Sequence, residues 1–112
     1  PVNLRGSNLE GAVFDGALMD GADLSECAMQ GASLDLVRAR NARFVVTDLR
    51  RARITRADVR GASLSRADLR GTDLSDSSLY EADLARIHGD GQTRYERIQR
   101  TRLRLNPRRS PA

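Results

Sequence analysis

Apolar residues recur along this chain every fifth position from Val2 to Arg86. Medium-to-large side chains fall at Leu4, Leu9, Phe14, Met19, Leu24, Met29 and Leu34, and resume at Phe44, Leu49, Ile54, Val59, Leu64, Leu69, Leu74, Leu79 and Leu84. Two residues before each stands something small, as at Ala12, Ala17, Ala22, Cys27, Ala32, Thr47, Ala57 and Ser77. Such self-similarity has to be read before any single element, because a short repeat dictates the architecture. Five residues advance an α-helix by about 500°, so these leucines would spiral around a helix without forming a stripe. A long strand fails as well, since an odd step sends alternate leucines to opposite faces. A chain that runs extended for three residues and then turns satisfies the pattern: the small and the large residue point inward, the residue between them points out, and the next two make a corner.

The corners carry residues suited to turning. Gly occupies the second corner place at Gly6, Gly11, Gly16, Gly21, Gly31, Gly61 and Gly71, where it accepts positive φ at no steric cost. Other corners hold Glu26, Leu36, Val46 or Arg56, which argues against a turn type that obliges Gly throughout. Ala39 interrupts the series of large residues, but Val37 stands two places earlier, so small-large becomes large-small at roughly constant volume. The expectation there is a local distortion without a break.

Units such as Ala22-Asp23-Leu24-Ser25-Glu26, Ala67-Asp68-Leu69-Arg70-Gly71 and Ala82-Asp83-Leu84-Ala85-Arg86 resemble the A(D/N)LXX signature of pentapeptide-repeat proteins. The resemblance covers residues 2–86, seventeen units in unbroken register. It implies an all-β fold, a right-handed quadrilateral β-helix with four units to a coil. Seventeen units make about four coils, each layer about 4.8 Å thick. Residues twenty apart then stack, giving inner columns such as Leu4, Leu24, Phe44, Leu64, Leu84 and Met19, Ala39, Val59, Leu79.

Composition adds limits. The chain has 112 residues, one Cys, no Trp and a formal net charge of +4, with every cation an Arg. Lone Cys27 fits a small inward position, so neither a disulfide framework nor a Cys-rich metal site is expected. No apolar run approaches the roughly 20 residues that cross a bilayer, and no signal-peptide pattern stands at the start; a cytoplasmic protein without membrane attachment is the expectation. Charge runs in blocks: a net of −5 over residues 1–36, +7 over 37–70, −4 over 71–93 and +6 from Arg94 onward. Stacking sets Asp20 against Arg40, Asp23 against Arg43, Arg38 against Asp58 and Arg53 against Asp73, so the central Arg block reads as a cross-coil ladder more than as a phosphate-binding belt. Arg40 with Arg60, and Arg50 with Arg70, stack without such help and are the candidate partner-binding cations.

After Arg86 the five-residue beat stops, dividing the chain into a repeat domain, 1–87, and a C-terminal segment, 88–112. Thr93 followed by Glu96 has the form of a capping box and predicts a short helix from near Arg94, with Tyr95, Ile98, Leu103 and Leu105 on its apolar face. A strand through Thr101, Leu103 and Leu105 is the alternative. The segment is expected either to cap the last coil or to pair two copies, the latter in keeping with the C-terminal dimerisation that the resemblance to topoisomerase-binding relatives implies.

No nucleophile elbow, P-loop, metal-ligand spacing or paired-carboxylate site is present in the sequence. It therefore points to a non-enzymatic protein-interaction or scaffold module without cofactors or metals, acting on a protein partner, with pairing of two copies through the C-terminal segment as the alternative to capping. The resemblance supplies an alternative, a DNA mimic that binds type II topoisomerases in quinolone resistance. Direct nucleic-acid binding through the Arg belt ranks below both, because exposed aromatics for base stacking are scarce.

Overall fold

The structure, a computed structural model, describes residues 1–99. The chain winds into four-sided coils of twenty residues. Parallel bridges join each outward residue to the one twenty further on: Asn3 to Asp23, Asp23 to Arg43, Arg43 to Ser63 and Ser63 to Asp83, with the same spacing on the other three sides. The expected columns are therefore formed. Leu24, Phe44 and Leu64 stack fully buried along one side, and Met29, Leu49 and Leu69 along the next.

The hydrogen bonds explain the five-residue unit. The large residue donates its N–H up to the next coil (Leu24 to the Arg43 carbonyl, 2.7 Å), and the outward residue before it donates down (Asp23 to the Val2 carbonyl, 2.9 Å). Across most corners the next small residue donates back to the large one, as Ala22 N–H does to the Met19 carbonyl at 3.0 Å. One N–H in every unit is left without a backbone acceptor, that of the residue following the large one. In the units that carry Asp or Asn just before the large residue, that side chain takes it: Asp23 Oδ1 from Ser25 (3.0 Å), Asp73 from Ser75 (2.9 Å), Asp83 from Ala85 (2.9 Å) and Asn3 from Arg5 (3.1 Å). The A(D/N)L signature is thus a device for satisfying an orphan donor, since an unpaired backbone N–H costs about as much as a lost hydrogen bond.

Every corner from Gly6 to Arg86 uses positive φ in its second residue, whether or not that residue is Gly. Gly16 has φ 71°, and Glu26, Leu36, Val46 and Arg66 have φ between 58° and 60°. The side chains that the sequence places there are held in the left-handed region by the ladder above and below. That cost is greatest for β-branched Val46, a residue type for which positive φ is an outlier.

Hydroxyls inside the coil do further work. At the small position, Thr47 Oγ1 donates to the Leu24 carbonyl (2.8 Å), Thr72 Oγ1 to Leu49 (2.5 Å) and Ser77 Oγ to Ile54 (2.6 Å), each in the coil below. The buried Cys27 thiol repeats the contact with the Leu4 carbonyl at 2.9 Å. Ser77 does more than its counterparts. The corner at Thr55-Arg56 lacks the usual turn bond, and Ala57 N–H donates instead to Ser77 Oγ at 3.0 Å. One hydroxyl therefore bridges both ends of an opened corner.

At the Ala39 position both Val37 and Ala39 are buried, and the Arg38–Asp58 bridge is intact. The flanking corner bonds, Val37 N–H to Leu34 at 3.3 Å and Ala42 N–H to Ala39 at 3.2 Å, are longer than the 2.9–3.0 Å of most other corners. The distortion is confined to those bonds.

The C-terminal expectation needs correction. No helix starts near Arg94. The bridges continue through Asp68–His88, Asp73–Arg94 and Ser78–Gln99, the last two at a spacing of twenty-one. One extra residue enters the turn at Gly89–Gln92, after which the coil resumes with Arg97 at φ 55° as its next corner. The Thr93 hydroxyl, read as a helix cap, instead donates to the Leu69 carbonyl at 2.7 Å and accepts from Asp90 N–H at 3.0 Å. Coil formation thus runs past residue 87, through Gln99. Ile87 and Ile98, partly buried against the core, carry the bulk at the small position, repeating the inversion at Val37. The remainder of the expected helix or strand, with Leu103 and Leu105, lies outside the described residues.

Two substitutions test this account. Val46→Gly should stabilise the protein by about 0.5–1 kcal/mol, because relief of left-handed strain outweighs the extra freedom of the unfolded chain; a thermal melt reads it as a raised Tm. Ser77→Ala should cost about 1–3 kcal/mol by stranding the Ala57 N–H and the Ile54 carbonyl, whereas Ser63→Ala, at an outward place, should change the melt little.

Candidate interaction surface

The interior is filled by stacked side chains, so the chemistry available to a partner lies on the outward places. Two of these flank each large residue, one before and one after, and they project from the same side. This adjacency governs the charges. Arg50 forms a two-pronged contact with Asp48, Nε to Oδ1 at 2.9 Å and Nη2 to Oδ2 at 2.7 Å. Arg60 does the same with Asp58 (2.8 and 2.8 Å), and Arg70 with Asp68 (2.9 and 2.6 Å). Arg40 reaches up to the same Asp58, Nε to Oδ2 at 2.7 Å. The four arginines that stacking alone leaves without partners are therefore all engaged by carboxylates.

The cross-coil pairs differ in detail from those expected. Asp20 is bound by Arg38 at 3.1 Å and accepts the Arg40 backbone N–H, not its guanidinium. Asp58 takes Arg60 and Arg40 in place of Arg38. Among the described residues neither Asp23–Arg43 nor Asp73–Arg53 closes to an ion pair, and Asp23 has Arg5 at 3.9 Å. The reason is local: a fork across one large residue needs no reach between layers, and the planar guanidinium matches the carboxylate edge. Pairing also crosses layers between corners, from Arg56 to Asp35 (2.5 Å) and from Arg97 to Asp76 (2.6 Å). The readable signal is the spacing Asp-x-Arg in Asp48-Leu49-Arg50, Asp58-Val59-Arg60 and Asp68-Leu69-Arg70.

These contacts shift titration. The Arg60 fork, aided by Arg40, holds the Asp58 carboxyl far below the usual carboxylate range. Arg50 lowers Asp48, Arg70 lowers Asp68 and Arg97 lowers Asp76, in each case mainly through the guanidinium hydrogen bonds.

Five exposed arginines, Arg43, Arg51, Arg53, Arg66 and Arg86, have no carboxylate within 4.0 Å among the described residues. Arg66 and Arg86 follow one another in a single corner column above half-exposed Val46, with Arg43 on the side that leads into it. Of the C-terminal candidates, Tyr95 lies over the last coil: its hydroxyl would stand 3.4 Å from a Cβ at Gly89, where the inner column lacks a large side chain. Ile98 packs partly against the core. Both act on the coil end. No helix among the described residues is long and apolar enough to cross a membrane.

Stacked four-sided coils closed by backbone bonds between layers define a β-helical solenoid. Its repeat places it further: the family described as Pentapeptide repeats matches in 8 copies over residues 2–35, 37–66 and 47–86, and the chain belongs to that family. Among solved structures it is similar to alr5209, a pentapeptide repeat protein from Nostoc PCC 7120, at 24% identity over 85% of this chain and 84% of that one, with a TM-score of 0.50. It is also similar to Rfr23 from the cyanobacterium Cyanothece 51142, at 25% identity over 85% and 88% with a TM-score of 0.39. Full-length QnrB1, a plasmid-mediated fluoroquinolone resistance protein, aligns at 16% identity over 93% and 67% with a TM-score of 0.39. No curated protein matches the chain.

Acid should weaken the fold through the forks. Carboxyls with depressed folded values stabilise the protein fully above their unfolded values of about 4, and that contribution is lost as pH falls through and below that range. A pH series of melts should show stability roughly flat from neutrality to near 5 and falling below it. Asp58→Asn should flatten part of the fall.

Proposed function

We propose that this protein is a non-enzymatic interaction module that docks a protein partner on the outside of a rigid solenoid. The observation that carries the reading is the division of labour within each unit. Large residues from Leu24 to Leu79 are fully buried in columns, while the outward places repeat at about 4.8 Å per layer and vary in charge from coil to coil. Such a surface presents a fixed grid to a partner without ordering cost. Within it, Arg43, Arg66 and Arg86 beside Val46 combine unpaired guanidinium groups with exposed apolar area, the composition of an anchor for an acidic protein surface. The engaged forks at Arg40, Arg50, Arg60 and Arg70 would have to surrender a carboxylate to serve a partner, so they fit the role of a rigid frame.

The topoisomerase-directed alternative asks for rows of unpaired negative charge imitating phosphates. On this solenoid Asp48, Asp58 and Asp68 are each covered by Arg, which favours the general docking reading over mimicry. Direct nucleic-acid binding by the central Arg block meets the same objection from the other partner of each fork.

Affinity capture from a cell extract, with the whole chain as bait, tests the docking reading. Arg66→Glu with Arg86→Glu should remove the captured protein, while Arg50→Gln should keep it. Equal capture by all three baits would overturn the assignment of the anchor, and inhibition of gyrase supercoiling by the purified chain would replace the reading with mimicry.

A further inference from the structure

Each corner of the solenoid presents two residues per coil. On the corner that follows Met19, Ala39, Val59 and Leu79 they are Asp20-Gly21, Arg40-Asn41, Arg60-Gly61 and Tyr80-Glu81. Gly61 leaves that edge without a side chain for one layer. Arg40, Arg60 and Tyr80 wall the gap, Asn41 and Glu81 bound it below and above, and the resulting cleft has a volume of about 460 Å³. Sites for single small molecules run from about 300 to 1,000 Å³. Gly61 is the floor: a Cβ there would stand 3.3 Å from Asn41 Cγ, so the Asn41 side chain lies across the space that a larger residue would take.

The two ends of the cleft differ in charge. At the lower end Arg40 and Arg60 share one carboxylate, that of Asp58, which leaves an excess of one positive charge. Arg60 grips Asp58 through Nε and Nη2, whereas Arg40 uses Nε alone, leaving its two Nη groups and Arg60 Nη1 outside those contacts. A protein surface laid over this fork would have to displace Asp58. A small anion need not, because it can take the remaining N–H groups with the fork closed. At the upper end Glu81 is exposed, with no cation within 4.0 Å among the described residues. Between the ends stand the Asn41 amide and Tyr80, which is 37% exposed.

A ligand that meets all of these groups has an anion at one end, a flat face in the middle and hydrogen-bond donors at the other end. Two layers, about 9.6 Å, separate Arg40 from Glu81. An amino acid carries both charges on one carbon and cannot span that distance; a nucleoside monophosphate reaches about as far from its phosphate to the outer edge of its base. A phosphate monoester carries a charge of about −1.5 to −2, which suits the excess at Arg40 and Arg60. A carboxylate only accepts, through two oxygens side by side, and so favours two adjacent donors. Guanine offers them on its pairing edge, N1–H beside the N2 amino group, whereas adenine, cytosine and uracil set a donor beside an acceptor. We propose that this cleft binds guanosine monophosphate (GMP), with the phosphate on Arg40 and Arg60, the base against the Tyr80 ring and its N1–H and N2–H on Glu81. The single aromatic lining the cleft suits a free nucleotide over a strand, whose successive bases each call for a stacking platform. The site lies on a different corner from the docking anchor at Arg66 and Arg86 and needs no protein partner.

Isothermal titration of the full chain at low salt tests it, with circular dichroism melts confirming that each variant folds. GMP should bind, and inosine monophosphate (IMP), which lacks the N2 amino group, should bind about tenfold more weakly. Adenosine monophosphate (AMP), with an acceptor at N1, should bind more weakly still. Arg40→Gln should weaken GMP and IMP alike, by about tenfold, through the phosphate. Glu81→Gln should instead erase most of the difference between GMP and IMP. A 5′-phosphorylated hexanucleotide that begins with guanine should bind no more tightly than GMP. No binding of GMP at millimolar concentration, equal affinity for GMP, IMP and AMP, GMP affinity unmoved by Arg40→Gln or Glu81→Gln, or tighter binding of the oligonucleotide would each overturn the proposal.

Discussion

Everything in this molecule depends on the register that sets each residue beside the one twenty places on. The bonds between coils, Leu24 N–H to the Arg43 carbonyl and Asp23 N–H to the Val2 carbonyl among them, tie four sides at once, so a shift on one side would have to be taken up on all. That collective constraint explains why positive φ is tolerated at Leu36, Val46 and Arg56. A left-handed corner in isolation would relax, but here each donates its N–H to the coil above and its corner carbonyl accepts from the coil below, and the strain is spread over a stack that gains far more from burial. Among the described residues the coil absorbs its extra residue in the exposed turn at Gly89–Gln92, where the Gly71 N–H is met by the Asp90 side chain and not by backbone.

Side-chain chemistry follows from the same register. The ladder leaves one N–H per unit unpaired, and the outward Asp or Asn exists to meet it. Once that carboxylate is in place it stands two residues from the next outward side chain. An Arg there closes a fork with its own neighbour before it can reach another layer. Charge pairing on this surface is therefore mostly a consequence of backbone satisfaction. In the units that carry it the acid serves the fold, and the cation answers it.

The legibility of the sequence divides along that line. The columns from Leu4 to Leu84 and the compensation of Ala39 by Val37 were readable, because a repeat of one length allows one stacking. Stacking alone does not predict the arginine pairs, because for residues flanking the same inward side chain the nearest neighbour is two places along the chain, as the Asp-x-Arg spacing shows. Residues 88–99 depart from the sequence expectation for a different reason: Leu is lost from the large position while Ile87 and Ile98 move the bulk to the small one, as Val37 does, and a single inserted residue shifts the period.

The distribution of free groups then separates framework from function. A side chain engaged twice, such as Asp58 with Arg60 and Arg40, cannot meet a partner without first losing what holds it, and its contribution is rigidity. Arg66, Arg86, Val46, Val13, Leu18 and Leu36 satisfy nothing within the solenoid; the corners at Leu36 and Val46 even carry backbone strain that Gly would avoid. Residues that cost the fold something and return nothing to it are the ones on which the docking proposal rests, since the remaining positions are answerable to the ladder.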